Sequence, residues 1–247
     1  MLRERSELEK GFRKISRLSV KKCDENLEKI RKFICEAVLH FNDSFHECYF
    51  LKGKKDVSFK CTESLVYLSF LESWRTSGQI MFLSVNGLYR NAYDDIRHML
   101  ESVVLALYID ARHPEATLKA KIEILKEVED KTEYHASHLI GEFKIEHKDK
   151  LQSEYKKLSK IIHPSHKQMV DTYTDVFVGR KGAPAFVDCE EIQRIYESLV
   201  MMYDIFFFLF LSYFTEMNKN LTKNTAFIND VKRYRLYFTS KALKLKL

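Results

Sequence analysis

LVMMYDIFFFLFLSYF, residues 199–214, is apolar almost throughout, and its reading decides between a membrane-anchored chain and a helical bundle. A membrane-spanning helix needs about 20 consecutive apolar residues. This run holds 16, carries Asp204 inside it, and has Glu197 and Glu216 close by. A helix apolar on every side also belongs at the centre of a bundle. A buried central helix and no transmembrane segment are therefore expected.

The neighbouring sequence fits that choice. Asp188 with Glu191 forms a capping-box-like start for the same helix, which should reach about Met217. Only 7 Gly and 3 Pro occur in 247 residues, too few turn-formers for a barrel or sandwich of short strands. Apolar residues at helical spacing predict a helix from Cys23 to about Tyr49, broken by Gly53 and its charged neighbours. A second is expected from Thr62 to Val85, stopped by Asn86-Gly87, because Gly tolerates the left-handed conformation that ends helices. A third should run from Leu88 to Asp110. Pro114 suits the first turn of a fourth, through about Ile140. A fifth, from Lys148 to Ile162, ends at His163-Pro164, since the residue before proline is pushed out of the helical region. Residues 164–187 form the longest candidate loop. The predicted fold is all-α: a single-domain helical bundle of about six to seven helices over 1–218, then a flexible basic C-terminal tail over 219–247.

Hydrophobic residues make up 45% and charged residues 31%, enough to bury a core and against overall disorder. Five scattered cysteines with no CxxC pair read as reduced thiols of a cytoplasmic protein. The first residues, MLRERSELEKGFRK, lack the apolar stretch of a signal peptide. Net charge is +6, but residues 1–22 carry eight Lys/Arg against three Glu, and 219–247 carry eight against Asp230 alone. The ends sum to +5 and +7, which leaves −6 between them. Basic ends suit RNA, DNA or an anionic membrane surface, and otherwise serve as solvated arms. A second copy of the chain is a further candidate partner.

Four polar groupings are candidates for chemistry. Arg90, Asp94, Arg97 and Glu101 follow one another at helical spacing, with Asn91, Asp95, His98 and Ser102 beside them. Beyond Ser102 the helix becomes apolar all round, so Arg97 and Glu101 should pair at the edge of the core, as a latch or a site. In YKKLSKIIHPS, Tyr155, Ser159 and His163 share one helix face. His163 could move protons with Tyr155 or Ser159 orienting it, though a helix C-terminus also favours a histidine for its dipole alone. Glu133, His135, His138, Glu142 and His147 hold ligand-type side chains without the matching motif on a second helix that bundle metal sites use, so no metal or cofactor is expected. Arg180 and Lys181, set between Gly179 and Gly182, could meet a phosphate, but the loop lacks the Walker spacing.

The run IMFLSVNGLYRNAYDDIRHMLESVVLALYID, 80–110, resembles the uncharacterised helical family known as domain of unknown function 5677. Helix, turn at glycine and a helix bearing Arg-x-x-x-Glu carry the likeness, and YKKLSKIIHPS fits the family's Tyr/Ser/His region. The resemblance spans about residues 60–165 and implies functional positions at Arg97, Glu101, Tyr155, Ser159 and His163. More distantly the chain is similar to the HEPN superfamily of RNA- and nucleotide-acting helical domains. Its ribonucleases place Arg four to six residues ahead of His on one helix, whereas seven residues separate Arg90 from His98 here. Two function classes follow: a helical interaction domain whose basic ends hold RNA or another acidic partner, and an RNA- or nucleotide-acting enzyme built on Arg97, Glu101 and His163.

Overall fold

The computed structural model describes residues 23–43, 63–128, 131, 135–143, 148–162, 188–213 and 221–245. These hold helices and turns, with no strand among them, so the fold is all-α. In chain order the elements are α1 (23–43), α2 (Leu65–Val85), α3 (Tyr89–Arg112), α4 (Leu118–Val128), α5 (Ala136–Glu142), α6 (Lys148–Ile162), α7 (Cys189–Tyr213), α8 (Thr225–Arg233) and α9 (Tyr237–Ala242).

Helix α3 is the hub. It packs on α2 and α7 along its length and takes α4, α5 and α6 on its remaining sides. The α2–α3 hairpin closes at Gly87, whose φ of 71° is the left-handed conformation expected of a helix stop. Helix α1 contains a π-helical stretch, Ile34–Val38, that buries Ile34, Ala37 and Val38.

Helix α7 is longer than its apolar run, 25 residues from Cys189 to Tyr213, so length alone would let it cross a membrane. Burial accounts for its composition instead. Every residue from Met202 to Leu211 is buried, and 72% of its most apolar window lies inside the fold. Phe206 stacks on Phe70 of α2, and Phe207 stacks on Phe41 of α1. The start of the helix matches half of the expected capping box. Asp188 accepts from the Glu190 N–H, while Glu191 turns instead to Tyr93 and Arg194.

Three sequence expectations are corrected. The fourth helix is two, α4 and α5. Thr117 rather than Pro114 opens α4, its hydroxyl accepting from the Ala120 N–H. The basic tail is folded: Leu221, Phe227, Val231, Leu236 and Phe238 are fully buried and α9 packs on α7. Their spacing was obscured by the lysines between them. The cysteines are not all reduced, since Cys23 and Cys189 form a disulfide across 166 positions, with Cα atoms 5.2 Å apart. Proximity of that kind comes from α1 lying beside the start of α7, where Asn26 also donates to the Cys189 carbonyl. The bond removes the cysteine argument for a reducing compartment. Cys35 is free and exposed.

Candidate functional site

Arg97 and Glu101 meet as their spacing on α3 requires. Arg97 Nε donates to Glu101 Oε1 at 2.7 Å, and the two side chains retain 28% and 31% of their exposure. They sit at the boundary of the core, where Val103 and Val104 just beyond are buried. The same Glu101 Oε1 accepts from the hydroxyl of Tyr155 on α6 at 2.8 Å, and Ser159 lies one turn further on, near enough to lower the Tyr155 phenol. The structure thus joins Arg97, Glu101, Tyr155 and Ser159. His163, Arg180 and Lys181 lie outside the described residues.

The electrostatics define what this group can do. Burial acts to weaken the Arg97 cation, but the hydrogen bond and charge of Glu101 outweigh it and hold the guanidinium above its ordinary value. Tyr155 is raised by burial first and by donation to Glu101 second, with Ser159 opposing. Its phenol therefore stays protonated at neutral pH and acts as a donor, not a base. Glu101 spends one oxygen on two donors. The arrangement ties α6 to α3 and holds no activated nucleophile.

The other sequence candidates are dispersed. Glu142 pairs with Arg112 across the surface, and His135 and His138 are exposed. Glu133 and His147 lie outside the described residues. Asp94 and His98 are exposed, while Asp95 has one oxygen buried without a hydrogen-bond partner, and burial raises its carboxyl.

Two buried polar networks escaped the sequence reading. Asp110, in the last turn of α3, caps the start of α2: it accepts from Ser64 Oγ (2.7 Å) and from the N–H groups of Leu65 (3.2 Å) and Val66 (3.0 Å). Lys121 of α4 neutralises it at 2.9 Å and also donates to the Glu63 carbonyl. A carboxylate near a helix C-terminus is disfavoured by the dipole. That was the available signal. Asp204, midway along α7, accepts from the N–H groups of Phe238 (2.9 Å) and Thr239 (2.8 Å) and from the Thr239 hydroxyl (2.7 Å), capping α9.

The C-terminal layer is the most polarised surface. Lys223, Lys232, Arg233, Arg235, Lys241 and Lys244 are all exposed, whereas its one carboxylate, Asp230, is buried against His40 of α1 at 2.6 Å. Arg233 and Tyr234 share Glu36 of α1. Lys150 of α6 lies 3.3 Å from the centre of the Tyr237 ring, adding a further cation to the layer.

Fold and site together define an all-α bundle with a polar latch between two helices and a folded basic face. No protein-family model matches the chain, nor does any curated protein or solved structure.

Proposed function

We propose that the protein is a non-catalytic helical binding module that holds a polyanion, RNA or DNA, on the basic face of its C-terminal helices. The observation that carries this reading is the sorting of charge in that layer: among its described residues six cations are exposed, of which Arg233 pairs with Glu36 of α1, and the sole carboxylate is turned into the fold. Folded cations at fixed spacing neutralise phosphates without first ordering a chain, and the binding they give depends on salt more than on sequence. Arg97, Glu101 and Tyr155 then serve the fold, holding α6 in register on α3. The distant similarity to the HEPN superfamily, whose Arg–His spacing this chain does not keep, would suit the same ligand class.

The test is fluorescence anisotropy with a labelled single-stranded RNA. Affinity is expected to fall at least tenfold between 50 and 200 mM salt. Changing Lys223, Lys232 and Lys241 together to Glu should weaken binding by a further tenfold or more while the helical circular dichroism is unchanged. No binding at 50 mM salt sinks the proposal. RNA cleavage abolished by Glu101→Gln would favour the enzymatic reading built on Arg97, Glu101 and His163.

A further inference from the structure

Helices α2, α8 and α9 end in the same motif. In each, a residue in the left-handed conformation follows the cap, and the next N–H returns to the carbonyl five positions back: Leu88 to Leu83, Leu236 to Val231 and Leu245 to Ser240. The left-handed residue is Gly87 after α2, but Arg235 after α8 and Lys244 after α9, at φ of 71°, 52° and 55°. Any side chain there crowds its Cβ against the following carbonyl oxygen, which glycine escapes. Arg235 and Lys244 are the only residues other than glycine with positive φ among the described residues.

Nothing within the fold calls for a cation at either position. Both side chains are exposed, and their own N–H groups are bonded to the carbonyls of Lys232 and Lys241. A cation at a helix C-terminus is favoured by the dipole, but the last turns already supply one, with Lys232 and Arg233 in α8 and Lys241 in α9. Neither Arg235 nor Lys244 meets a carboxylate among the described residues. Nor do Lys150 and Lys241, which lie 3.3 Å and 5.5 Å from the centre of the Tyr237 ring at the start of α9. Most of the described arginines do the opposite: Arg31, Arg75, Arg97, Arg112, Arg194 and Arg233 each pair with a carboxylate. Four cations thus gather at one helix of six residues with no carboxylate paired to any of them. The two at its ends are held against the preference of their backbone, and such outliers persist where the side chain has a task outside the fold.

We infer that α9 is the phosphate seat of the nucleic-acid-binding reading above, on which this inference rests. Arg235 and Lys244 hold the phosphodiester backbone of the strand at the two ends of α9, with Lys241 between them and Lys150 reaching in from α6. The seat is narrower than the basic layer and takes in an element outside it. Phosphates are held there by side chains alone, because the main-chain N–H groups of both turns are bonded within the chain. Contacts of that kind fix the strand without reading its bases. Arg235 adds a planar fork that can take two oxygens of one phosphate. Lys150 and Lys241 are steadied by the Tyr237 ring, which leaves their charge unneutralised for a phosphate.

Glycine at the two left-handed positions separates binding from folding. In the full chain, Arg235→Gly with Lys244→Gly should weaken binding of a labelled single-stranded RNA at 50 mM salt by roughly tenfold or more, read by fluorescence anisotropy. The slope of log K against log salt should fall by about 1.5, the counterions of two phosphates. Tm should hold or rise, since relief of the Cβ offsets the greater freedom of glycine in the unfolded chain. Adding Lys150→Met and Lys241→Met, which keep an apolar stem over Tyr237, should bring the fall in slope to about 3. As a control, Lys119→Gln with Lys131→Gln removes equal charge and should leave the slope unchanged. Wild type that binds RNA, with a glycine pair that binds equally well, overturns this inference alone. Wild type that binds no RNA overturns the underlying reading as well. A slope lowered as much by the control pair assigns the effect to net charge and overturns the seat. A glycine pair whose Tm falls by about 3 °C or more does so too, because the two cations would then serve the fold.

Discussion

Replacing Asp204 isolates the contact that fixes the C-terminal layer to the core. Asp204→Ala deprives the buried N–H groups of Phe238 and Thr239 of their acceptor and leaves the Thr239 hydroxyl only the longer bond, 3.4 Å, to the main-chain carbonyl of residue 204. Each unsatisfied buried donor costs about 1–3 kcal/mol. Water entering the vacated space and the removal of a poorly solvated charge offset part of that sum. A net loss of about 3 kcal/mol is expected, and in a chain of this size it lowers Tm by roughly 6–12 °C. Asp204→Asn retains one acceptor oxygen and should lose about half as much. The pH dependence has a definite sign. Burial raises the Asp204 carboxyl above 3.8, and the hydrogen bonds from Thr239 and Phe238 only partly oppose it. A raised folded-state value means that the group's stabilising contribution is complete below 3.8 and is lost as pH rises through the folded value. The Asn variant lacks this titration, so wild type should gain on it as pH falls from 7 towards 4. Urea denaturation followed by circular dichroism measures both effects. An Asp204→Ala variant within 0.5 kcal/mol of wild type, where one buried cap alone is worth about 1 kcal/mol, would refute the reasoning.

Two further perturbations separate the latch from the core. Glu101→Ala removes the shared acceptor of Arg97 and Tyr155, and because the pair keeps nearly a third of its exposure the expected loss is about 1–2 kcal/mol rather than that of a fully buried pair. Asp94→Ala, exposed one turn away, should change stability by less than about 0.5 kcal/mol. Thermal melts that rank the two alike would return Glu101 to the wet surface. Opening the Cys23–Cys189 bond, by reductant or by Cys23→Ser, should cost about 2–4 kcal/mol. Equal melting temperatures with and without reductant, together with intact-mass evidence of two free thiols, would show that the bond does not form.

The helices with strong local signals were legible in the sequence. The α2–α3 turn was marked by Asn86-Gly87, α6 by its charged apolar period up to Pro164, and the Arg97–Glu101 pair by one turn of spacing. Those signals are local, and local geometry suffices to express them. The position of Asp204 inside an apolar helix was equally visible, but its ligands stand 34 and 35 positions away on α9, and no spacing rule reaches that far. Asp110 and Lys121 were hidden for a related reason, since Asp110 caps a helix that begins 45 residues earlier. Tyr155 was read beside His163, which lies outside the described residues, and its bond to Glu101 was not legible because the packing of α6 on α3 makes it. Charge concealed the C-terminal layer. The run of lysines drew attention from Phe227, Val231 and Phe238, whose burial only a third dimension discloses.

The two aspartate caps also bear on how the chain folds. A serine or asparagine cap belongs to its own helix and can stabilise it before anything else has formed. Here α2 takes its cap in part from the far end of α3, and α9 takes its cap from the middle of α7. Ser64 caps the Tyr67 N–H of α2 locally, but the Leu65 and Val66 N–H groups of α2 and the Phe238 and Thr239 N–H groups of α9 meet their aspartates only once the elements have docked. Secondary and tertiary structure are thereby made to arrive together. Until then water hydrates the carboxylates and the amides, so the gain from their hydrogen bonds arrives only with docking. Amide exchange at Leu65, Val66, Phe238 and Thr239 then follows the opening of the whole bundle rather than the fraying of helix ends.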